Sequence, residues 1–239
     1  MTLYSNLFLK CISQNPFRIL GVTANASKKD IIANVNKFKA FLKVGKHVNG
    51  TFDTIPGTGR VERTVEIIES AEKAIELPID QLRWSLFWFV NKIPIDKIAP
   101  NHIQSGNIDK AIEIWSKVES VTSLINITVS ELIRQNWAEA ALHADKLFSD
   151  YAKPICSLID DTLNLNQAQL THLFMDTIAK YNYGVLRAMY RAFPECYSFD
   201  ELVNGGECRF LSKPDGIDLT TGIHYPCLGI KKTRLYCIL

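Results

Sequence analysis

Apolar side chains recur with the period of an α-helix over most of the chain from Pro16 to Phe193. The clearest case follows Ser27, where apolar residues stand at helical spacing and lysines fall largely off the stripe. The members of this stripe are Ile31, Val35, Phe38 and Leu42. Ser27 with Asp30 three residues later is the acidic version of a capping box, so the helix is predicted to begin there.

Further helices are predicted on both sides of this one. A short helix or turn over Pro16–Leu20 ends at Gly21, and a longer helix from about Val61 to Leu77 ends at Pro78. The apolar window 82–90 is much shorter than the roughly 20 residues of a membrane span, so it is interpreted as a buried helix. Later helices are predicted over residues 155–163, 166–180 and 182–193.

A large aromatic cluster is predicted to belong to the core rather than to a binding site. Trp84 and Trp88 would lie one turn apart and pack the fourth helix onto the next layer. This arrangement predicts that the N-terminal helices are joined rigidly to those that follow. The other members of the cluster are Phe87, Phe89, Trp115 and Trp137.

Two linker-like stretches, 91–94 and 99–100, precede a second helical region. There, segments 108–112 and 138–142 match each other, and each follows a polar turn. Alanines at the crossing of paired helices resemble tetratricopeptide-type repeats, whose period is about 34 residues. A plain helical hairpin explains the same pattern equally well.

Residues 15–90 also carry several motifs in a fixed order. The chain reads Asn-Pro-Phe-Arg-Ile-Leu-Gly-Val from Asn15, and the capped, lysine-rich helix follows. Further on come Ile-Glu-Ser-Ala-Glu-Lys-Ala-Ile-Glu-Leu-Pro over 68–78 and Gln-Leu-Arg-Trp over 81–84. This succession resembles a J-domain, the chaperone-activating module of DnaJ-type proteins. We therefore expect an all-α protein: a J-domain-like helical unit over 15–90, tetratricopeptide-like antiparallel helical hairpins over 101–195, and an irregular tail over 196–239.

The chain departs from the family at its most characteristic position. Where J-domains carry the His-Pro-Asp tripeptide that couples docking to ATP hydrolysis, this chain has Lys43-Val44-Gly45. The resemblance implies a DnaK-type chaperone, or a client protein, as the partner, met by a basic helix face. The expected partner-binding residues are Lys37, Lys39, Lys43, Val44, Gly45 and Lys46.

Composition limits the other possibilities. The chain has 239 residues and a formal net charge of +2, which does not argue for nucleic acid or an anionic membrane. The six cysteines form no Cys-x-x-Cys pair, and no secretory signal is seen, so a cytoplasmic location with free thiols is expected. Cys11 and Cys156 are interpreted as small core residues. Among Cys196, Cys208, His224, Cys227 and Cys237, only His224 and Cys227 have a zinc-like spacing, so unpaired thiols are favoured over a metal site.

The sequence contains none of the common motifs of hydrolases, P-loop proteins or dinucleotide-binding enzymes, so no enzyme and no cofactor are predicted. The first hypothesis is a DnaJ-like co-chaperone that docks a DnaK-type chaperone or a client without normal ATPase stimulation. The alternative is a non-catalytic scaffold that keeps the J-like fold. An RNA-binding helical protein is a third possibility, which the scarcity of surface aromatics near the lysines disfavours.

Overall fold

The computed structural model describes residues 11–46 and 49–181, and these residues are all helical or irregular, without a strand. The prediction of an all-α protein is confirmed. The expected tail and the helix predicted over 182–193 lie outside the described residues. The helices with defined bounds are α1 (Pro16–Ile19), α2 (Lys28–Lys43), α3 (Val65–Lys73), α4 (Pro78–Ser85), α5 (Ile95–Gln104), α6 (Ile108–Trp115), α7 (Val121–Arg134), α8 (Trp137–Ile159) and α9 (Gln167–Tyr181).

The short helix α1 is formed by the Asn-Pro-Phe-Arg-Ile-Leu-Gly-Val motif. The Asn15 side chain accepts the backbone N–H of Phe17, and Pro16 takes the first helical position, where its missing N–H costs nothing. At the other end Gly21 has φ +66°, and a Cβ at this position would lie 2.9 Å from the Phe38 ring. The chain ends the helix at a glycine because α2 comes too close for any side chain.

Helix α2 begins and packs as the sequence predicts. The Ser27 hydroxyl accepts the backbone N–H of Asp30 and donates to its carboxylate at 2.6 Å. The predicted apolar stripe faces the core, where its first three members are buried and Leu42 packs against them. The hydrophobic pattern alone was therefore sufficient to orient this helix.

Helix α3 is shorter than predicted and begins at Val65 rather than near Val61. Thr64 is its cap, because the Thr64 hydroxyl accepts the backbone N–H of Ile67. Upstream, the Arg63 side chain donates to the backbone carbonyls of Arg18 and Ile19, which fixes the preceding residues against α1. These long-range bonds override the helical pattern of residues 61–64.

The apolar window 82–90 is not one helix, so that interpretation is wrong for its second half. Helix α4 ends at Ser85, and residues 86–90 continue as a buried, non-helical segment. The Asn15 amide donates to the carbonyl oxygens of Trp84 at 3.1 Å and Phe87 at 3.4 Å. A longer helix would need the Trp84 carbonyl for its own backbone ladder. Trp88 is therefore not one helical turn beyond Trp84, and its Nε1 donates to the carbonyl of Val22.

The aromatic residues of this segment nevertheless form the centre of the core, as predicted. Phe87 stacks on Phe174 at a centroid distance of 4.9 Å, and Phe89 stacks on Trp115 at 6.0 Å. Trp88 meets Phe52 edge-on at 5.5 Å. One continuous cluster of buried side chains thus joins residues 11–90 to the later helices.

The connection between the two halves is held by paired side-chain amides. Asn126 accepts the backbone N–H of Val90 and donates to its carbonyl, and Asn25 does the same for Asn91. The buried carboxylate of Asp96 accepts bonds from Asn126, the Trp115 indole and two backbone N–H groups. The chain at 90–91 is fixed on both sides, as a β-ladder would fix it.

The predicted linker at 99–100 is wrong, because both residues are buried within α5. The helix pairs α5–α6 and α7–α8 are nevertheless built alike. In each pair the connecting turn contains a left-handed residue, Gly106 or Gln135, with φ of +84° and +62°. An asparagine then starts the next helix, Asn107 or Asn136.

Helices α5 and α7, which precede these turns, both end in a Schellman motif. In each, the N–H of the left-handed residue donates to the carbonyl three residues earlier, and the N–H of the asparagine donates to the carbonyl five residues earlier. When the two turns are superposed, the first helical residues, Ile108 and Trp137, correspond to each other. The sequence match of 108–112 with 138–142 predicted Ile108 opposite residue 138, so it is shifted by one residue. In the structural alignment Ala111 corresponds to Ala140, and both are fully buried. Small residues at equivalent positions allow the two members of each pair to approach closely.

The last described helices differ in extent from the prediction. The helix expected over 155–163 is the end of α8, which bends at Tyr151 (φ −130°) and ends at Ile159, where Asp160 becomes extended. Pro154 follows the bend and removes one backbone donor from the helix. Helix α9 lies close to the predicted range 166–180.

Replacing Phe38 by alanine should lower the free energy of unfolding by about 3–5 kcal/mol, because this ring is 3% exposed and packs beneath Gly21. Urea unfolding monitored by circular dichroism measures the change. Phe41→Ala is the matched control on the same helix, since Phe41 is 37% exposed. A loss below about 1 kcal/mol for Phe38→Ala would contradict the assigned core.

Candidate functional site

The candidate site is the outward face of α2 and the residues that follow it. Lys37 and Lys43 are exposed and take part in no ion pair among the described residues. Lys39 is half-buried and forms a salt bridge with Glu69 of α3 at 3.0 Å. The lysine face is therefore not uniform: Lys39 joins α2 to α3, and its neighbours remain available to a partner.

Exposed apolar side chains also lie on α2 and at its end. Val44 is 67% exposed, and Phe41 and Ile32 are also open to solvent. The sequence predicts a role for Val44 only through its place in the divergent loop, and it predicts none for Phe41 or Ile32. Helix α2 therefore presents ammonium groups that can pair with acidic groups, and it also carries apolar side chains that can add contact area.

Lys43-Val44-Gly45 forms the end of α2 rather than a projecting loop. The N–H of Gly45 donates to the carbonyl of Leu42 at 3.0 Å, and the N–H of Lys46 donates to Phe41 at 2.9 Å. With φ +69° at Gly45, this is a Schellman motif. Lys46 is exposed immediately after it. The tripeptide position is thus occupied by a helix terminator.

The segment after this terminator is held by a buried guanidinium. Arg18 is 1% exposed, and its five N–H groups all meet backbone carbonyls. The acceptors are Ser13, Phe52, Asp53, Thr58 and Gly59, at 2.8–3.3 Å. Burial lowers the pKa of Arg18 to about 10, so the side chain remains charged at neutral pH. Four of these carbonyls belong to residues 52–59, so the glycine-rich segment has a fixed conformation.

A second arginine continues this network. Arg63 forms a bidentate pair with Asp53 at 2.6 and 2.7 Å, and both side chains are largely buried. The Arg63 guanidinium also lies over the Phe38 ring, 4.4 Å from its centroid. Asp53 further accepts the backbone N–H of Gly50 at 2.8 Å. The two arginines, Arg18 and Arg63, bind the 49–64 segment to α1 and α2.

Sequence reasoning did not identify this network. In the sequence Arg18 stands out only as part of the Asn-Pro-Phe-Arg-Ile-Leu-Gly-Val motif, and no motif marks Arg63 or Asp53. The available signal was Arg18 itself, a charged residue between Phe17 and Ile19 in an otherwise apolar run. Such a residue has to be paired or hydrogen-bonded if the run is buried.

The described residues offer little for metal or redox chemistry. They contain no group of three or more His, Cys, Asp or Glu side chains placed to hold a metal ion. Cys11 and Cys156 are free and buried, as predicted, and burial raises the pKa of the Cys11 thiol, which keeps it protonated. The residues weighed for zinc, from Cys196 onward, lie outside the described part. Within the described ranges, no helix has the length and apolar character to cross a membrane.

No protein-family model matches the chain, and no curated protein and no solved structure matches it either.

Arg18→Leu should destabilise the protein by about 3 kcal/mol or more, because it leaves several buried carbonyls without donors. Chemical unfolding measures the loss. Arg60→Leu is the control, since Arg60 belongs to the same segment but is exposed. If both variants lose the same small amount, the Arg18 contacts do not hold the segment.

Gly45→Ala should cost about 1 kcal/mol, because an L-residue at φ +69° is strained. A Cβ at Gly45 meets no atom within 4 Å, so the change tests backbone conformation without a steric clash. Lys46→Ala, the next residue, should have an effect below about 0.5 kcal/mol. Thermal unfolding compares the two; equal midpoints would show that the Schellman end of α2 does not constrain the chain.

Proposed function

We propose that this protein is a J-like docking protein that binds a DnaK-type chaperone through α2 without stimulating its ATPase. The observation that carries the proposal is the set of unpaired, exposed lysines on α2, Lys37 and Lys43, followed by exposed Val44 and Lys46. Complementary charge speeds association and sets the orientation of a complex, and the exposed apolar side chains add contact area.

The nature of the tripeptide position supports binding without activation. In the family that residues 15–90 resemble, His-Pro-Asp couples docking to hydrolysis. Here the same position carries a helix terminator with no imidazole and no carboxylate. Residues 52–59, further along the chain, contain no histidine, and their only carboxylate, that of Asp53, is engaged by Arg63.

A non-catalytic scaffold is the second candidate function. Its supporting observation is that the Asn-Pro-Phe-Arg-Ile-Leu-Gly-Val motif is used for internal structure, from the Asn15 cap to the Val22 carbonyl. In that case the helix pairs α5–α6 and α7–α8 would carry the interaction, and α2 would be a solvated face.

The double variant Lys37→Glu/Lys43→Glu should weaken capture of a DnaK-type chaperone from the same cell at least tenfold and leave the thermal midpoint nearly unchanged. Surface plasmon resonance gives the affinity, and a coupled assay gives the chaperone's ATPase rate, which should not rise on addition of the native chain. Lys92→Glu/Lys153→Glu is the control, because both lysines are exposed and lie outside α2.

Equal capture by both double variants would favour the scaffold. A rise in the ATPase rate with the native chain would contradict the proposed absence of stimulation. Inserting His-Pro-Asp at 43–45 is a poor control, because proline at 44 removes the N–H that bonds to Phe41 and disfavours the helical conformation of Lys43. Binding to a 20-nucleotide RNA that falls steeply with salt would instead indicate a nucleic-acid partner.

A further inference from the structure

An extended segment leads from the residues held by Arg18 to the start of α3. Residues 59–64 contain neither a turn nor a bend, and exposure alternates along them: Arg60, Glu62 and Thr64 are exposed, whereas Val61 and Arg63 are half-buried. This period of two is the pattern of a β-strand with one buried face. Thr64 confirms the conformation at its end, with φ −116° and ψ 171°.

No strand among the described residues pairs with the backbone of residues 60–62. Within the described ranges, the backbone N–H and C=O groups of Arg60, Val61 and Glu62 take part in no hydrogen bond. Strands elsewhere satisfy such groups by pairing, and an unpaired edge is a template for another extended chain.

The segment is also rigid enough to act as a template. At its start the carbonyl of Gly59 accepts a bond from Arg18 at 2.8 Å, and near its end the Arg63 side chain binds Asp53, Arg18 and Ile19. A preformed strand edge binds a peptide with a smaller loss of conformational entropy than a loose loop would.

A groove runs along the same segment, bounded by α1 on one side and α3 on the other. Its lining includes the apolar side chains of Ile19, Ile67 and Trp84, and Ser70 of α3 also lines it. Glu62 and Glu66 line it with two carboxylates against the single guanidinium of Arg60, which leaves an excess of negative charge. The Thr64 side chain and the Glu66 backbone hold the pKa of Glu66 below its usual value. None of the lysines of the α2 face lines this groove.

We propose that residues 60–62 bind an extended peptide by adding it as a strand, with its apolar side chains in the groove and its basic side chains against Glu62 and Glu66. Unpaired backbone groups select an extended chain, and the apolar lining residues select alternate apolar side chains. The two carboxylates, which outnumber the one guanidinium of the lining, select lysine or arginine. The site is independent of the α2 face and does not require the proposed chaperone partner.

The test uses the acetylated, amidated peptide Lys-Val-Lys-Val-Lys-Val-Lys with a fluorescent label, titrated with the full-length protein and followed by anisotropy. Binding should disappear when N-methyl groups are placed on one alternating set of its amides and survive when they are placed on the other set. This asymmetry is expected because alternate N–H groups of a strand point to opposite edges. The same peptide with glutamate in place of lysine should bind at least tenfold more weakly.

Protein variants locate the site. Ser70→Trp should fill the groove and weaken binding at least tenfold, whereas Lys73→Trp, on the same helix but outside the groove, should leave binding unchanged. Glu62→Lys/Glu66→Lys should reverse the preference between the lysine and glutamate peptides, with Glu76→Lys as the exposed control outside the groove. Circular dichroism of each variant verifies folding.

Several outcomes would overturn the proposal. These are no binding at about 1 mM peptide, equal effects of both N-methylation patterns, or equal binding by Ser70→Trp and Lys73→Trp. Self-association of the native chain that Ser70→Trp abolishes would assign the groove to a second copy instead of a peptide. Sedimentation velocity of the native chain and the variant distinguishes that case.

Discussion

The conformation of the N-terminal half depends on one buried cation. The Arg18 guanidinium gives all five of its N–H groups to backbone carbonyls, four of them in residues 52–59. Arginine is suited to this position because its planar group presents five donors in a fixed geometry, whereas lysine would offer three donors from a single atom. Phe52 and Ile55 anchor this irregular segment in the hydrophobic core, and the directional bonds to Arg18 fix the backbone conformation around them.

The candidate surfaces follow from this network. The Arg63 guanidinium pairs with Asp53, which belongs to the segment held by Arg18, and also packs on the Phe38 ring of α2. Arg63 therefore connects this segment to α2. On one side of that connection α2 presents exposed Lys37 and Lys43. On the other side, residues 60–62 present an unpaired backbone edge beside the groove. One internal network thus supports two chemically different surfaces, one cationic and helical, the other extended and bordered by carboxylates.

The Asn-Pro-Phe-Arg-Ile-Leu-Gly-Val motif explains why a family resemblance and a structural role are difficult to separate here. Asn15 caps α1, and its side-chain amide donates to two carbonyl groups of the 84–87 segment. Arg18 donates to carbonyl groups of the 52–59 segment, and Gly21 allows the close approach of Phe38. Each of these residues is required by the packing of the N-terminal helices. Their presence therefore supports the helical architecture more directly than it supports any activity.

The sequence by itself determined the helical class, the start of α2 at Ser27 and the orientation of its apolar stripe, because capping and helical periodicity are local properties. It also placed Lys37 and Lys43 on the surface, since they fall off that stripe. Only the tertiary structure decided where α4 ends, that 99–100 lies within a helix, and that Lys39 is engaged by Glu69. It alone brought Arg18 to residues 52–59, because a buried charge finds its acceptors far along the chain, and no local pattern encodes such distant carbonyls.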